Sequence, residues 1–351
     1  MKTSGEASLP PRSDDVRAMV CGKWGGPEQL TLTNVPEPVP KPGDVSIEVH
    51  ACSVNFADLL MIGGTYQTRP ELPFVPGLEA AGIIASAPEG SGFKPGDRIV
   101  AILWHGGYAE QAVASVQETF LLPAGISFDV AAALTSAYVS TALALIRVAH
   151  LKPFEVLLVL GAGGGVGLAA VQLGKALGSK VIAVASTPDK LAIAREAGAD
   201  QVISSADADW KDQVLAAAGP NGVNVCFDPV GGPLFDPALS TLGWGGRYVL
   251  VGFAAGQAPS IPAHRLLVKH RAVLGSSLRY FRYHDPAALR ETMDQLFAWY
   301  AQGRITPRIT LRLPLEGTAA GLRTLAERRA VGKVVVHVRE GREAPPATKS
   351  A

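Results

Sequence analysis

The sequence predicts an α/β protein in which a doubly wound parallel sheet of six strands is joined to a smaller, mostly antiparallel β domain. Three observations carry that expectation. From Val16 to about Leu122 the chain reads as short strands broken by turns. From about Ser127 apolar strands alternate with helices. Between residues 158 and 178, in LVLGAGGGVGLAAVQLGKALG, seven glycines interrupt a hydrophobic run where one strand gives way to one helix.

Taken in order, the polar start MKTSGEASLPPRSDD predicts a disordered extension over residues 1–15 and lacks the apolar core of a secretory signal. VSIEVHACSV, AAGIIASA, DRIVAIL and YAEQAVAS then read as strands, divided by the turns Lys41-Pro42-Gly43-Asp44 and Lys94-Pro95-Gly96-Asp97. FDVAAALTSAYVSTALALIRVA reads as a helix and EVLLVL as a strand; the glycine turn follows, then a helix through Leu177. KVIAVA is the next strand. PDKLAIAREAG is a helix with Pro188 in its first turn and Gly198 at its C-terminal cap. QVIS, VNVCFD, RYVLVGF and RAVLG bring the strands to six, alternating with connections as a doubly wound sheet requires. Beyond Ser276, DPAALRETMDQLFAWYAQG is helical, a strand and helix follow, KVVVHV is a last strand, and residues 341–351 read as a flexible tail.

A length of 351 residues suits two domains, and 48% hydrophobic residues can fill two cores. Thirty-two Lys and Arg against 31 Asp and Glu leave a net charge of +1, which argues against an electrostatic grip on nucleic acid or an anionic membrane. Cys21, Cys52 and Cys226 are dispersed and odd in number, so a reducing, cytoplasmic setting is expected rather than a disulfide framework. The longest apolar runs contain glycines or polar residues and are expected to fall short of a membrane span.

Within the glycine run, Ala162, Gly164 and Gly167 fit A-x-G-x-x-G, a variant of the dinucleotide-binding fingerprint, with Gly163, Gly165 and Val166 between them. Its position after an apolar strand and at the head of a helix gives the match its meaning. Small residues allow a tight turn, let backbone amides approach a pyrophosphate, and let the helix pack close to the strand. The helix N-terminus adds unpaired N–H groups and partial positive charge. Close packing alone needs far fewer glycines. An NAD-preferring site places Asp or Glu at the end of the second strand. Here that strand ends Ala185-Ser186-Thr187, followed by Lys190, so NADPH is the expected cofactor, its 2′-phosphate held by Ser186, Thr187 and Lys190. Ser186 or Thr187 can also cap the next helix, and Lys190 can equally belong to a solvated helix face.

GGPEQLTL (25–32), VNFADLLMIGGTY (54–66), LPFVPGLEAAG (72–82), GFKPGDRIVA (92–101), GGYAEQAV (106–113), FDPVGG (227–232), GGRYVLVGF (245–253) and RRAVGKVVV (328–336) join the glycine turn in a fixed order. Over residues 17 to 338 the chain resembles the zinc-independent NADPH:quinone oxidoreductases of the medium-chain dehydrogenase/reductase superfamily. The resemblance implies a GroES-like β-barrel-type domain over 16–133 and 277–340, interrupted by a Rossmann domain over 134–276. It also implies a nicotinamide cleft between the two and a homodimer. Where the alcohol dehydrogenase branch has zinc-ligating cysteine and histidine, this sequence has Asn55 and Leu78. Glu79 remains without its metal partner, and His50 with Cys52 makes too small a cluster, so no metal is expected.

Without zinc to polarise a simple carbonyl, a hydride acceptor must stabilise its own charge, as a quinone or a conjugated carbonyl does. The resemblance implies Asn55 near the nicotinamide ribose or substrate, and Ser140 at a cofactor-contacting position. It brings Val251, Gly252 and Phe253 past the nicotinamide with the stretch around Ser276, and makes Lys333 a further contact. Tyr66 is the candidate for hydrogen-bonding or protonating the product oxygen, with a cleft-wall aromatic and water as the alternative. A second family tyrosine is replaced by Leu60, which makes the pocket more apolar. Two other readings stand beside quinone reduction: an enone, alkenal or enoyl-thioester reductase on the same scaffold, and a non-catalytic NADPH-binding protein.

Overall fold

The computed structural model describes residues 15–339. The expected extension before Asp15 and the expected tail over 341–351 lie outside the described residues.

Strands β1 (Asp15–Cys21) and β2 (Leu30–Pro36) pair antiparallel along their full length. The long β3 (Asp44–Ser53) pairs antiparallel with β4 (Glu79–Ser86), which passes the ladder to β5 (Arg98–Ile102). β6 (Gln111–Ser115) pairs with the first half of β3, and β7 (Thr119–Leu121) edges β5. Both K-P-G-D turns form as read. Asp44 and Asp97 donate their N–H groups to the Lys41 and Lys94 carbonyls, and Gly43 and Gly96 take φ of +90° and +92°, where a side chain would be strained. Between β3 and β4 runs a short helix, α1 (Phe56–Ile62), which the strand-like reading of this region did not anticipate.

Helix α2 (Phe128–Ala142) starts where Ser127 accepts the Val130 N–H and continues into a π-helical segment, Leu143–Val148. It packs on β3, β4 and β5 on one side and on the second domain's first helix on the other. The boundary expected at residues 133 and 134 therefore falls inside one continuous helix. At 21 residues this helix is long and apolar enough to cross a membrane, which corrects the sequence estimate of apolar run length, but 78% of its apolar window is buried inside the fold. Its burial makes it the wall shared by both domains.

The second sheet holds β8 (Val156–Leu160), β9 (Lys180–Ala185), β10 (Gln201–Ser204), β11 (Val223–Asp228), β12 (Leu242–Leu250) and β13 (Ala272–Gly275). All pairings are parallel, in the order β10-β9-β8-β11-β12-β13. The connections carry α3 (Gly165–Ala176), α4 (Pro188–Glu196), α5 (Trp210–Ala218), α6 (Phe235–Thr241) and α7 (Ala263–Leu267). The order reverses between β8 and β11, and ligands of such sheets bind at that reversal, beyond the carboxyl ends of the strands. The chain then leaves through α8 (Leu278–His284) and α9 (Pro286–Ala301). It returns to the first sheet as β14 (Ile309–Pro314), α10 (Thr318–Ala326) and β15 (Lys333–His337). β15 lies parallel to β14 and antiparallel to the end of β3, opposite Ala51, Cys52 and Ser53.

The contact between β8 and α3 depends on Gly167, where a Cβ would overlap the Gly161 carbonyl oxygen. At Gly164 the nearest atom to a Cβ is that same oxygen at 3.7 Å, an ordinary contact. Gly167→Ala is expected to lower the urea unfolding midpoint, by about 1–3 kcal/mol of overpacking, whereas Gly164→Ala leaves it nearly unchanged; paired denaturation curves check this.

Candidate active site

Gly161 turns the chain out of β8 with φ +61°, and Gly164 holds the extended N-cap position of α3. Gly165, Val166 and Gly167 follow, so the first-turn N–H groups of α3 have no intrahelical partners and concentrate the positive end of its dipole. Gly164, Gly165 and Val166 are half-buried and Ala162 is buried. Two neighbours explain the remaining glycines. The Lys190 stem lies where a Gly163 Cβ would be, and Lys333 Cδ would come within 2.6 Å of a Cβ at Gly165. The glycines therefore admit two lysine stems as well as leaving a cradle.

Ser186 and Thr187 are exposed at the end of β9. Thr187 caps α4 by accepting the Lys190 backbone N–H at 3.4 Å. Lys190 Nζ donates to the Arg328 carbonyl at 2.7 Å, and burial beside the Arg328 charge lowers the Lys190 pKa. Arg328 takes φ +56°, unusual for a residue with a side chain, and Gly332 N–H donates to the Gly163 carbonyl at 3.0 Å. The segment ahead of β15 thus crosses the glycine turn and brings a second cation to it. Arg328 was not singled out from sequence, although it lies inside the RRAVGKVVV stretch quoted for the resemblance.

Across the sheet end, Val251 N–H is held by the Asp228 carbonyl at 3.0 Å and Ser276 N–H by the Leu250 carbonyl at 2.9 Å. Val251 and Gly252 are half-buried, and Phe253 stands 40% exposed. These residues border the same carboxyl edge as the glycine turn.

The most constrained group in this region is Glu79, fully buried at the start of β4. Its carboxylate accepts from Ser53 N–H at 3.0 Å, from the Ser53 and Ser136 hydroxyls, and from Asn55 Nδ2 at 2.9 and 3.1 Å. Asn55, the N-cap of α1, is thereby oriented so that its Oδ1 accepts from Lys333 Nζ at 2.8 Å. Lys333 Nζ also reaches the Val54 carbonyl at 3.3 Å. Burial pulls the Lys333 pKa down, while Glu79 and Asp58 oppose that shift. Asn55 N–H donates to Asp58 at 2.9 Å, and Tyr108 donates its hydroxyl to the same oxygen at 2.7 Å. Of the residues named from sequence, Asn55 and Lys333 are brought together, and Ser53, Asp58, Tyr108 and Ser136 join them. Two of these carried a signal. Asp58 stands three residues after a capping Asn, and Ser136 precedes Ser140 by one helical turn. Ser140 itself donates back to the Ser136 and Ala137 carbonyls at 2.6 and 3.1 Å.

Tyr66 lies just beyond α1, half-buried, with its backbone N–H on the Leu60 carbonyl. Burial raises its pKa and Asp58 adds to the rise, while Arg279 and Arg282 oppose it, so the phenol keeps its proton at neutral pH. Cys52 Sγ donates to the Glu79 carbonyl at 2.9 Å, and His50 packs on Phe128 at 4.6 Å. Among the described residues no group of three His, Cys, Asp or Glu side chains could hold a metal ion.

Two family models match the chain: the alcohol dehydrogenase GroES-like domain over residues 41–126 and the zinc-binding dehydrogenase model over residues 165–299. Quinone oxidoreductase-like protein 2 of Rattus norvegicus is 33% identical over 331 residues, covering 93% of this chain and 94% of that protein. The quinone oxidoreductase of Sus scrofa is 33% identical over 323 residues, covering 90% and 95%. Among solved structures, the quinone oxidoreductase of Thermus thermophilus, determined alone and with NADPH, superposes with a TM-score of 0.80 at 34% identity, covering 92% and 100%.

Asp58 supplies a pH test of the buried network. Burial first and Glu79 second raise its pKa from 3.8 to about 7, against the hydrogen bonds from Tyr108 and Asn55. The folded form therefore holds a proton that the unfolded chain releases near pH 4, and stability falls as pH rises from about 4 to about 7. Asp58→Asn should remove most of that decline, so its thermal midpoint relative to the parent protein rises between pH 5 and pH 8. Parallel thermal melts across that range check it, and an unchanged difference would contradict it.

Proposed function

The chain belongs to the quinone oxidoreductase family of the medium-chain dehydrogenase/reductase superfamily, and on that premise we propose that it is an NADPH-dependent oxidoreductase that reduces a quinone or related conjugated carbonyl without zinc. The observation that carries the cofactor reading is the pairing of Lys190 with Arg328 beside exposed Ser186 and Thr187, with no carboxylate ending β9. Two cations and two hydroxyls suit a 2′-phosphate, and a carboxylate there would repel it. The cradle at Gly164–Gly167 fits a pyrophosphate, since its helix N-terminus offers unpaired N–H groups and the Gly164 position is open. NADPH, when bound, supplies the hydride.

The chain's own residues orient the acceptor and manage the proton. Lys190 must release the Arg328 carbonyl to reach a phosphate, and Arg328 is already beside it. Asn55 and Lys333, locked by Glu79, form a rigid floor next to the glycine turn. Tyr66, protonated at neutral pH, donates to the oxygen that gains charge as hydride reaches the conjugated system. The zinc-free reading rests on the donor set. Asn55 and Leu78 stand at the two ligand positions, and the Glu79 carboxylate is already engaged by Ser53, Asn55 and Ser136.

NADPH oxidation measured with quinones, enones and enoyl-CoA esters, with NADH as control, tests this reading. Turnover on quinones with NADPH preferred is expected; faster turnover of an enone or thioester would make the enzyme an alkene reductase, and cofactor binding without any turnover would leave only a binding role. Loss of a charge-assisted contact worth about 1.5–3 kcal/mol corresponds to a roughly 10- to 100-fold change. Lys190→Ala and Arg328→Ala are therefore each expected to raise KM for NADPH by about that factor while leaving KM for NADH nearly unchanged. Tyr66→Phe is expected to lower kcat at least about tenfold with KM for NADPH unmoved. An unchanged kcat would assign the proton to water.

A further inference from the structure

The acceptor side of the cleft carries one guanidinium that the fold leaves uncompensated. After β13 the chain passes Ser276 and enters α8, which lies against Trp104 of the β domain and delivers two arginines to the same indole. Arg282 Cζ is 3.7 Å from the ring centroid and Arg279 Cζ 5.4 Å, and Tyr283 stacks on Trp104 at 5.2 Å. Arg282 is fully employed. Its side chain is 5% exposed, it pairs with Glu118, and it donates to the Leu103 carbonyl at 2.9 Å. Arg279 is not. Among the described residues it makes no hydrogen bond or ion pair, and its Nε is buried with no partner. Its charge reaches the Tyr66 phenol, which places it on the side of the cleft where the product oxygen is expected.

We propose that Arg279 is a specificity residue that binds an anionic substituent on the acceptor, a carboxylate, sulfonate or phosphate carried beside the conjugated carbonyl. The inference rests on the hydride-transfer reading of the site and adds a substrate class to it. A guanidinium presents its N–H donors in a planar fork that matches such anions bidentately, and an indole beneath it fixes that plane. Arg282, being neutralised by Glu118, shapes the Trp104 wall without competing for the anion. Tyr283, 62% exposed and backed by its stacking on Trp104, offers the flat apolar surface on which an aromatic acceptor would lie. A neutral acceptor would gain the stacking and leave Arg279 unpaired. An anionic one would gain both.

The test uses 1,4-naphthoquinone and its 6-carboxylate, whose charge sits on the ring remote from the reacting carbonyls. With NADPH at low ionic strength, kcat/KM for the carboxylate is expected to exceed that for the neutral quinone at least tenfold, and added salt should shrink the ratio. Arg279→Gln should bring the ratio close to one, chiefly through KM, and Arg279→Lys should retain part of it. Thermal melts of both variants verify that they are folded. A ratio near one in the parent protein, or a ratio unchanged in Arg279→Gln, would overturn the proposal. Calorimetric titration with naphthalene-2-carboxylate in the presence of NADP+ provides a readout free of turnover. Its Kd should rise at least tenfold in Arg279→Gln, and an equal Kd would count against Arg279. Absence of turnover on both quinones would overturn the quinone-reduction reading instead, and the calorimetry would still decide the role of Arg279.

Discussion

Glu79 is a carboxylate without access to water, and the surrounding fold is arranged around satisfying it. An isolated buried charge is too costly to keep, so its oxygens must be covered by donors. Ser53 supplies two from the end of β3, Ser136 one from α2, and Asn55 two geometric contacts from the cap of α1. The β3–α1 junction and α2, far apart in the chain, are thereby pinned to the start of β4 at one point. Removing a single donor would leave the carboxylate short of partners and loosen all three. The same constraint fixes the Asn55 amide, because the face that meets Glu79 must present N–H, which leaves its oxygen for Lys333.

The glycine turn and this carboxylate cluster are parts of one assembly. Lys333 runs its stem over Gly165 and its ammonium to Asn55, so one side chain touches both the helix that would hold a pyrophosphate and the residue expected at the nicotinamide. Lys190 does the equivalent at Gly163 and reaches the backbone of Arg328. Glycine at these two positions is a packing requirement imposed by long cationic side chains from elsewhere in the chain. The two sheets are joined here by polar contacts, and along α2 by apolar ones.

Much of this was legible in sequence where the signal was local. The six strands of the parallel sheet, the Pro188 and Gly198 punctuation of α4, and both K-P-G-D turns were readable because periodicity and turn chemistry act over a few residues. The glycine turn between β8 and α3 was readable for the same reason. α1 was missed because its seven residues are too few to show a helical period beside strand-like neighbours. The π-helical end of α2 has no distinctive composition. Ser53, Tyr108, Arg328 and Arg279 carry roles set by partners far away in the chain, and nothing in a single sequence marks a serine as a donor to a carboxylate 26 residues on. Lys333 was named through resemblance, yet its bond to Asn55 spans 278 residues and only folding displays it.

β15 has a consequence for how the molecule is made. It must insert between β14 and the end of β3, a strand synthesised nearly three hundred residues earlier. Until then the Ala51–Ser53 edge of β3 is an open template and Lys333 is absent from Asn55. The parallel sheet, complete by Gly275, can assemble first as an inserted unit, while the flanking sheet waits for its closing strand. A ribosome that stalled shortly before residue 333 would release a chain with its parallel sheet formed, an unfinished β sheet and an exposed edge ready to pair with another copy. Arrival of β15 therefore closes that edge and brings Lys333 to Asn55 in the same step, so one late strand sets both the sheet and the buried polar cluster.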